Sequence, residues 1–237
     1  MQAEYGRAET DTQARSRYLK EMMHIRKVSA KDLSLMTGIS RRTIERYMNG
    51  RTDTADAAGL TVAKICFVLG MNVYTLGGVD DVKPGTAFGS DGKEAVVKKY
   101  DLLPYSRNGV RDVLKWYMKR NGMKRRSELA ERMGMKERTV NDMLSLQVDV
   151  RMMRARVIFA ACRKMVLHPY FLYGFRDIKE YPAYIRAYEQ KQKNDSIKKE
   201  IREEAERIAK EQDVVPADLR NFCHIGTDVV ETTESED

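Results

Sequence analysis

The sequence predicts an all-α fold, two similar helical modules in tandem followed by a further C-terminal helix, and three observations carry that expectation. Apolar residues recur three and four apart through most of the 237-residue chain. A frame of apolar residues and one glycine occurs twice: Leu33, Gly38, Thr43, Ile44 and Met48 return as Leu129, Gly134, Thr139, Val140 and Leu144, each 96 residues later. After Gly174 the apolar content narrows to a stripe amid mixed charge, too thin for a core of its own.

Residues 1–13 read as a flexible N-terminal stretch, near whose end Thr10 or Asp11 can cap a helix running to about Lys27. Tyr18, Leu19, Met22, Met23 and Ile25 form its inward side. Ser29 can cap a short second helix carrying Leu33 and Met36, and Gly38 supplies the positive φ of a tight turn. A third helix starts near Ser40. At about 100° per residue, Ile44, Tyr47 and Met48 share one of its faces, and Arg42, Glu45, Arg46 and Asn49 the other. Asn49 and Gly50 stop it, since both tolerate the left-handed conformation beyond a helix end. LTVAKICFVLG then places Val62, Ile65, Cys66 and Leu69 at helical spacing, and Val73 and Leu76 close a five-helix module over residues 14–78.

Glycine, proline and small polar residues mark a linker over 79–107, within which Asp91 and Glu94 have capping-box spacing before a short helix. Residues 108–176 repeat the first module, with the first helix one residue out of step and IFAACRKMVLHPYFLYG matching AKICFVLGMNVYTLGG at a shift of 97. Trp116, Tyr117 and Met118 are read as core rather than as a stacking platform, and His168 as a turn residue. Residues 177–212 form a helix opened by Pro182, with the stripe Ile197, Ile201, Ala205 and Ile208. The stripe lies across the second module or pairs with a second copy, and the pairing, which gives a homodimer, is favoured. Residues 213–237 form an acidic tail.

Lysine and arginine number 43 against 35 acids, a net +8. Gln212 to Asp237 holds seven acids against Arg220 alone, so setting aside that −6 leaves +14 on the rest of the chain. Such an excess favours a polyanion. The longest apolar runs fall short of the roughly 18 residues of a spanning helix, and the N-terminus is polar, which predicts a cytoplasmic protein. Cys66 and Cys162 sit in apolar helical patterns as small hydrophobes, and neither they nor Cys223 form a Cys-x-x-Cys pair. Cys223 beside His224 lacks the context of a nucleophile, and His24 has no second ligand near it, so neither a cofactor nor a metal is called for.

GISRRTIERYMNGR resembles the third-helix pattern of the Cro and lambda-repressor family, the xenobiotic-response-element type of bacterial and phage transcription regulators. The resemblance covers the first module and, more loosely, the second. It implies five-helix bundles in which Ser40, Arg41, Arg42, Glu45, Arg46 and Asn49 face the major groove or its rims, with Thr43 and Lys31 beside them and Arg51 on the DNA backbone. Where the family often places a phosphate-gripping glutamine, this chain has Ala30. Independently of the family, arginine can bond guanine in bidentate fashion and phosphate through charge, and Asn or Glu can read adenine or cytosine. A merely solvated face explains the charge but neither the turn nor the Asn-Gly stop.

In the second copy Arg41 corresponds to Glu137, Arg46 to Asp142 and Arg51 to Gln147, while Arg138 persists opposite Arg42. That module is therefore expected to bind DNA weakly or differently, through Lys124, Arg125, Arg126, Lys136, Arg138 and Asn141, with Lys119 and Arg120 nearby, or to bind a protein partner. The function expected is a sequence-specific repressor that binds double-stranded DNA. The alternative is an antitoxin-like adaptor, and an enzyme ranks below both because no phosphate loop, metal spacing or nucleophile elbow is visible.

Overall fold

A computed structural model of the chain describes residues 11–81 and 105–211; the Asp91–Glu94 capping box, Cys223, His224 and the acidic tail lie outside them. Every regular element among the described residues is helical, joined by a single isolated antiparallel bridge between Ala58 and Arg154. The all-α expectation holds.

The first module comprises α1 (Asp11–Ile25), α2 (Ala30–Thr37), α3 (Arg41–Met48), a 3-10 turn at Thr54–Asp56, α4 (Gly59–Leu69) and α5 (Val73–Leu76). Ser29 does cap α2, and it does so reciprocally: its Oγ accepts the Asp32 N–H at 3.1 Å while the Asp32 carboxylate accepts the Ser29 N–H at 3.1 Å. Gly38, at φ +69°, ends α2 in the left-handed region. On α2 the inward residues are Leu33 and Thr37, one turn apart, and Met36 is only half-buried. On α1, Tyr18, Leu19, Met22 and Met23 are buried, but Ile25 is 43 % exposed. The chain leaves α1 through Lys27 at φ +53°, and Val28 comes back to close that end of the core in place of Ile25.

The second module comprises α6 (Arg107–Arg120), α7 (Arg126–Met133), α8 (Glu137–Leu144), a 3-10 turn at Val150–Met152, α9 (Ala155–Lys164) and α10 (Pro169–Leu172). Each element from α7 onward starts 96 residues after its counterpart, Ala30 with Arg126 and Val73 with Pro169. The shift of 97 expected for the last segment is thus one residue too long. Cys66 and Cys162, both fully buried, and the caps Asn72 and His168 hold the register at 96. The caps use different chemistry at one position: Asn72 Oδ1 accepts the Tyr74 N–H at 2.9 Å, and His168 Nδ1 accepts the Tyr170 N–H at 3.3 Å. Tyr117 is core, its hydroxyl donating to the Met165 carbonyl at 3.0 Å, whereas Trp116 is half-buried and stands edge-on to Tyr181 at 5.2 Å.

The described residues up to Tyr181 form one compact unit, within which the two modules pack on each other. The central helices show why. Val62, Ala63, Ile65, Cys66, Val68 and Leu69 bury α4 almost all round, as a helix sandwiched on two sides requires, and α9 buries Ile158, Phe159, Ala161 and Cys162. Gly77 admits the Phe159 ring: a Cβ there would stand 2.2 Å from Phe159 Cδ2, although its φ of −80° is open to any residue. The remainder of the described chain is the helix α11 (Tyr181–Glu211), which from Pro182 onward belongs to a second unit. Along it Arg202 and Glu206 pair at 2.9 Å, and Ile197, Ile201 and Ile208 are exposed.

Replacing Gly77 by alanine is expected to cost about 1–3 kcal/mol by overpacking the seam. In urea unfolding the cost should shrink in a Phe159→Leu background, because the two positions are in contact. An equal cost in both backgrounds would place the strain elsewhere.

Candidate nucleic-acid interface

Helix α3 is fixed by one face and left open on the other. Ile44 is fully buried and Tyr47 is 6 % exposed, while Arg41, Arg42, Arg46, Asn49 and Arg51 are all exposed. Ser40 caps the helix, its Oγ accepting the Thr43 N–H at 3.2 Å and lying 2.7 Å from Thr43 Oγ1. At the other end Asn49 donates its N–H to the Glu45 carbonyl at 3.0 Å, and Gly50 takes φ +64°, which lets the Arg51 N–H reach the Arg46 carbonyl at 3.0 Å. The two-faced pattern read from spacing is therefore the arrangement found, with Met48 half-buried at its edge.

The mounting of α3 uses partners that the sequence pattern does not reveal. From α1, Ser16 Oγ donates to the Met48 carbonyl at the end of α3. Beside it Arg15 grips Asp53 with two bonds, Nε to Oδ1 at 2.9 Å and Nη2 to Oδ2 at 2.7 Å, and Thr12 Oγ1 adds a third at 3.1 Å. Asp53 in turn accepts the Ala55 N–H at 2.9 Å and so caps the 3-10 turn that follows the loop. Lys64 on α4 donates to the Thr37 carbonyl at 3.2 Å, and Ser34 Oγ to the Ile39 carbonyl at 2.6 Å, holding the turn between α2 and α3. Arg15 reads in sequence as a solvated cation. Its burial depends on a carboxylate 38 residues away, which no local period encodes.

Charge on the open face is only partly neutralised. Arg41 pairs with Glu45 at 2.7 Å, an exposed pair one turn apart. Arg42, Arg46 and Arg51 have no ion pair to any described residue. Arg41 and Arg42 also sit in the first turn of α3, where the helix dipole is already positive and the free N–H groups point outward. Two cations there are mutually unfavourable in the free protein, and an anion relieves them. Lys31 is exposed in the first turn of α2, next to Ala30.

In the second module Arg126 takes the place of Ala30, and its Nη1 donates to Asn141 Oδ1 on α8 at 3.3 Å. Arg125 pairs with Glu128 at 3.0 Å, and Lys124, Lys136 and Arg138 are exposed. Arg120, grouped with these cations by sequence, instead lies over the rings of Trp116 and Tyr181, at 5.5 and 5.9 Å from their centroids. Glu137 is exposed and Asp142 half-buried. No cluster of His, Cys, Asp and Glu suited to a metal ion occurs among the described residues, and none of their helices is long and apolar enough to cross a membrane.

Residues 18–78 match the profile of the Cro/C1-type HTH DNA-binding domain. The matched span runs from within α1 to the glycine pair after α5, so it takes in α2 and α3 but leaves Thr12, Arg15 and Ser16 of the mounting outside it. No curated protein and no solved structure matched the chain.

Burial alone would lift the Asp53 carboxyl, but the Arg15 fork, the Ala55 N–H and Thr12 outweigh it and hold the group below the ordinary carboxylate range. Its stabilisation is then complete above the unfolded value of about 3.9 and is lost as pH falls through the lower folded value. Unfolding free energy should be flat in this respect from neutral pH to about 5 and drop below about 4. Asp53→Asn should lose roughly 3 kcal/mol at pH 7 by leaving Arg15 half-satisfied, and should flatten that acid drop. Identical acid profiles for the two proteins would show that Asp53 does not carry it.

Proposed function

We propose that the chain is a sequence-specific transcription repressor that reads the DNA major groove with α3. The observation that carries this reading is the cationic face of α3, Arg42 and Arg46 with Arg51 just beyond its end, on a helix capped at its start by Ser40 and tied at its end by the Ser16 bond to the Met48 carbonyl. Holding the helix rigid converts a cationic surface into a directional one. Arg42 and Arg46 supply bidentate donors for guanine, Asn49 an amide for adenine, and Ser40, Thr43, Lys31 and Arg51 contacts to the phosphate rims, while Glu45 either accepts from a cytosine amine or stays with Arg41. Occupancy of a promoter by such a module blocks polymerase, and no cofactor enters that scheme. The exposed isoleucines of α11 support self-association through that helix as a homodimer contact.

A second reading treats the molecule as an adaptor whose second module binds protein. What favours it is the acidic pair Glu137 and Asp142 on α8. The two readings differ in their response to salt. A repressor loses affinity steeply as salt rises, because each phosphate contact releases counterions.

In footprinting of the full chain on the DNA upstream of its own coding region, a discrete protected site is expected. Arg46→Ala should weaken that site by about 1–3 kcal/mol and relax one base position. Weak binding of all duplexes alike, indifferent to this substitution, would favour the adaptor.

A further inference from the structure

The contact between the modules has an internal symmetry. The Gly59 N–H donates to the Met153 carbonyl at 2.8 Å, and the Ala155 N–H donates to the Ala57 carbonyl at 2.8 Å, the two halves of the bridge centred on Ala58 and Arg154. Ala57, Ala58 and Gly59 stand 96 residues before Met153, Arg154 and Ala155. Exchanging every residue for its counterpart therefore turns one bond into the other, which is what a two-fold axis does. The same exchange converts a second contact. Phe67 meets the Tyr170 ring edge-on at 5.1 Å, and the counterpart of Phe67, Arg163, lies over the counterpart ring, Tyr74, at 5.1 Å. Chemically unlike pairs occupy one geometry, so the arrangement comes from the axis and not from the side chains.

The side chains decide which partners can share that axis. Phe159 lies against Gly77, and the counterparts of these two are Ala63 and Tyr173. Two first modules would set Ala63 opposite Gly77 and leave the space of a ring empty. Two second modules would set Phe159 opposite Tyr173, both large, where a ring now meets bare backbone. Charge agrees with shape. Arg163 pairs with Asp80 and Arg156 with Asp56 at 3.0 Å, whereas the counterparts of the acids, Arg176 and Met152, would give two second modules no acid at either place. The seam fits one module of each kind, and both are on one polypeptide.

The axis also exchanges α3 with α8, each of which ends ten residues before the bridge, Met48 before Ala58 and Leu144 before Arg154. The loss of arginine from α8 does not leave its module anionic. Residues 28–51 carry five cations and two acids, a net +3, and the equivalent 124–147 carry six cations and four acids, a net +2. The charge has moved from the reading helix to its flanks, Lys124, Arg125, Arg126 and Lys136, which replace Val28, Ser29, Ala30 and Ser40. Flanking cations serve phosphates, and Arg126 holds Asn141 on α8 while Arg138 remains exposed there.

We propose that one chain is a built-in pseudo-dimer whose two unlike reading helices, α3 and α8, engage successive major-groove half-sites of a non-palindromic duplex. The proposal rests on the DNA-reading role given above. Two-fold related reading helices suit half-sites about one helical turn, roughly 10 base pairs, apart. Unlike helices require the half-sites to differ, the α3 half read mainly by arginine and the α8 half by Arg138 and Asn141.

The test is selection by the full chain from duplexes with a randomised window of about 24 base pairs, wide enough for two half-sites. It is repeated with Arg46→Ala and with Arg138→Ala, both exposed positions whose folding is checked by thermal melting. The expected site has two dissimilar halves. Arg46→Ala should lower base preference about tenfold in one half only, and Arg138→Ala in the other half only. A palindrome whose halves both relax with Arg46→Ala would overturn the proposal in favour of two chains each reading through α3. A single half-site indifferent to Arg138→Ala would overturn it as well, with α8 taking no part. Both of those failures retain a selected sequence, so they leave the DNA-reading role standing; enrichment of no sequence overturns that role and this proposal together.

Discussion

The short backbone exchange between Ala57–Gly59 and Met153–Ala155 is the contact on which the arrangement of the molecule depends. It comes directly after the loops that follow α3 and α8, so whatever fixes it fixes these two helices relative to one another. Three separate interactions converge on those loops in the first module: Arg15 with Asp53, Thr54 Oγ1 with the Leu76 carbonyl at 2.7 Å, and Ser16 with Met48. The second module repeats the logic with other residues. Asp149, the counterpart of Asp53, caps its own 3-10 turn and is held by Tyr105, Arg107 and Arg151. Burial would raise the Asp149 carboxyl, and these hydrogen bonds and arginines bring it below its ordinary value instead.

A half-buried carboxylate gripped by arginine is a weak source of net stability, since desolvating both groups offsets much of their attraction. Its use here is directional. The pair sets where the loop after α3 can lie, and the loop sets where the bridge can form. The same trade shows in Gly77 and Gly59, which contribute no side-chain packing of their own but let Phe159 and Tyr173 approach the backbone of the opposite module. Stability in this seam comes from the large residues of one module filling space left by small residues of the other.

Several elements are legible in the sequence because their causes are local. The caps at Ser29 and Ser40, the left-handed turns at Gly38 and Gly50, and the buried face of α3 each follow from a few neighbouring residues. Ile25 has the period of the inward face yet stands outside the core, because period alone does not say where a core ends, and apolar similarity places the last repeat one residue late because it is a looser guide than the shared caps. The apolar run LTVAKICFVLG did hold a signal beyond the one read from it. A helix apolar on every side has two partners, and here the second partner is the other module.

The sequence by itself determined the helical class, the order of elements and the two-faced α3, since 3.6-residue periodicity, capping chemistry and backbone conformation act over a few residues. It also determined that of the α3 arginines only Arg42 is repeated on α8, as Arg138. Only the tertiary structure decided which modules face each other, because that depends on contacts such as Gly77 with Phe159, 82 residues apart, whose sizes mean nothing until they are opposed. The reciprocal bond pair is the sharpest case: backbone groups carry no sequence signature, and only their placement in space reveals an axis.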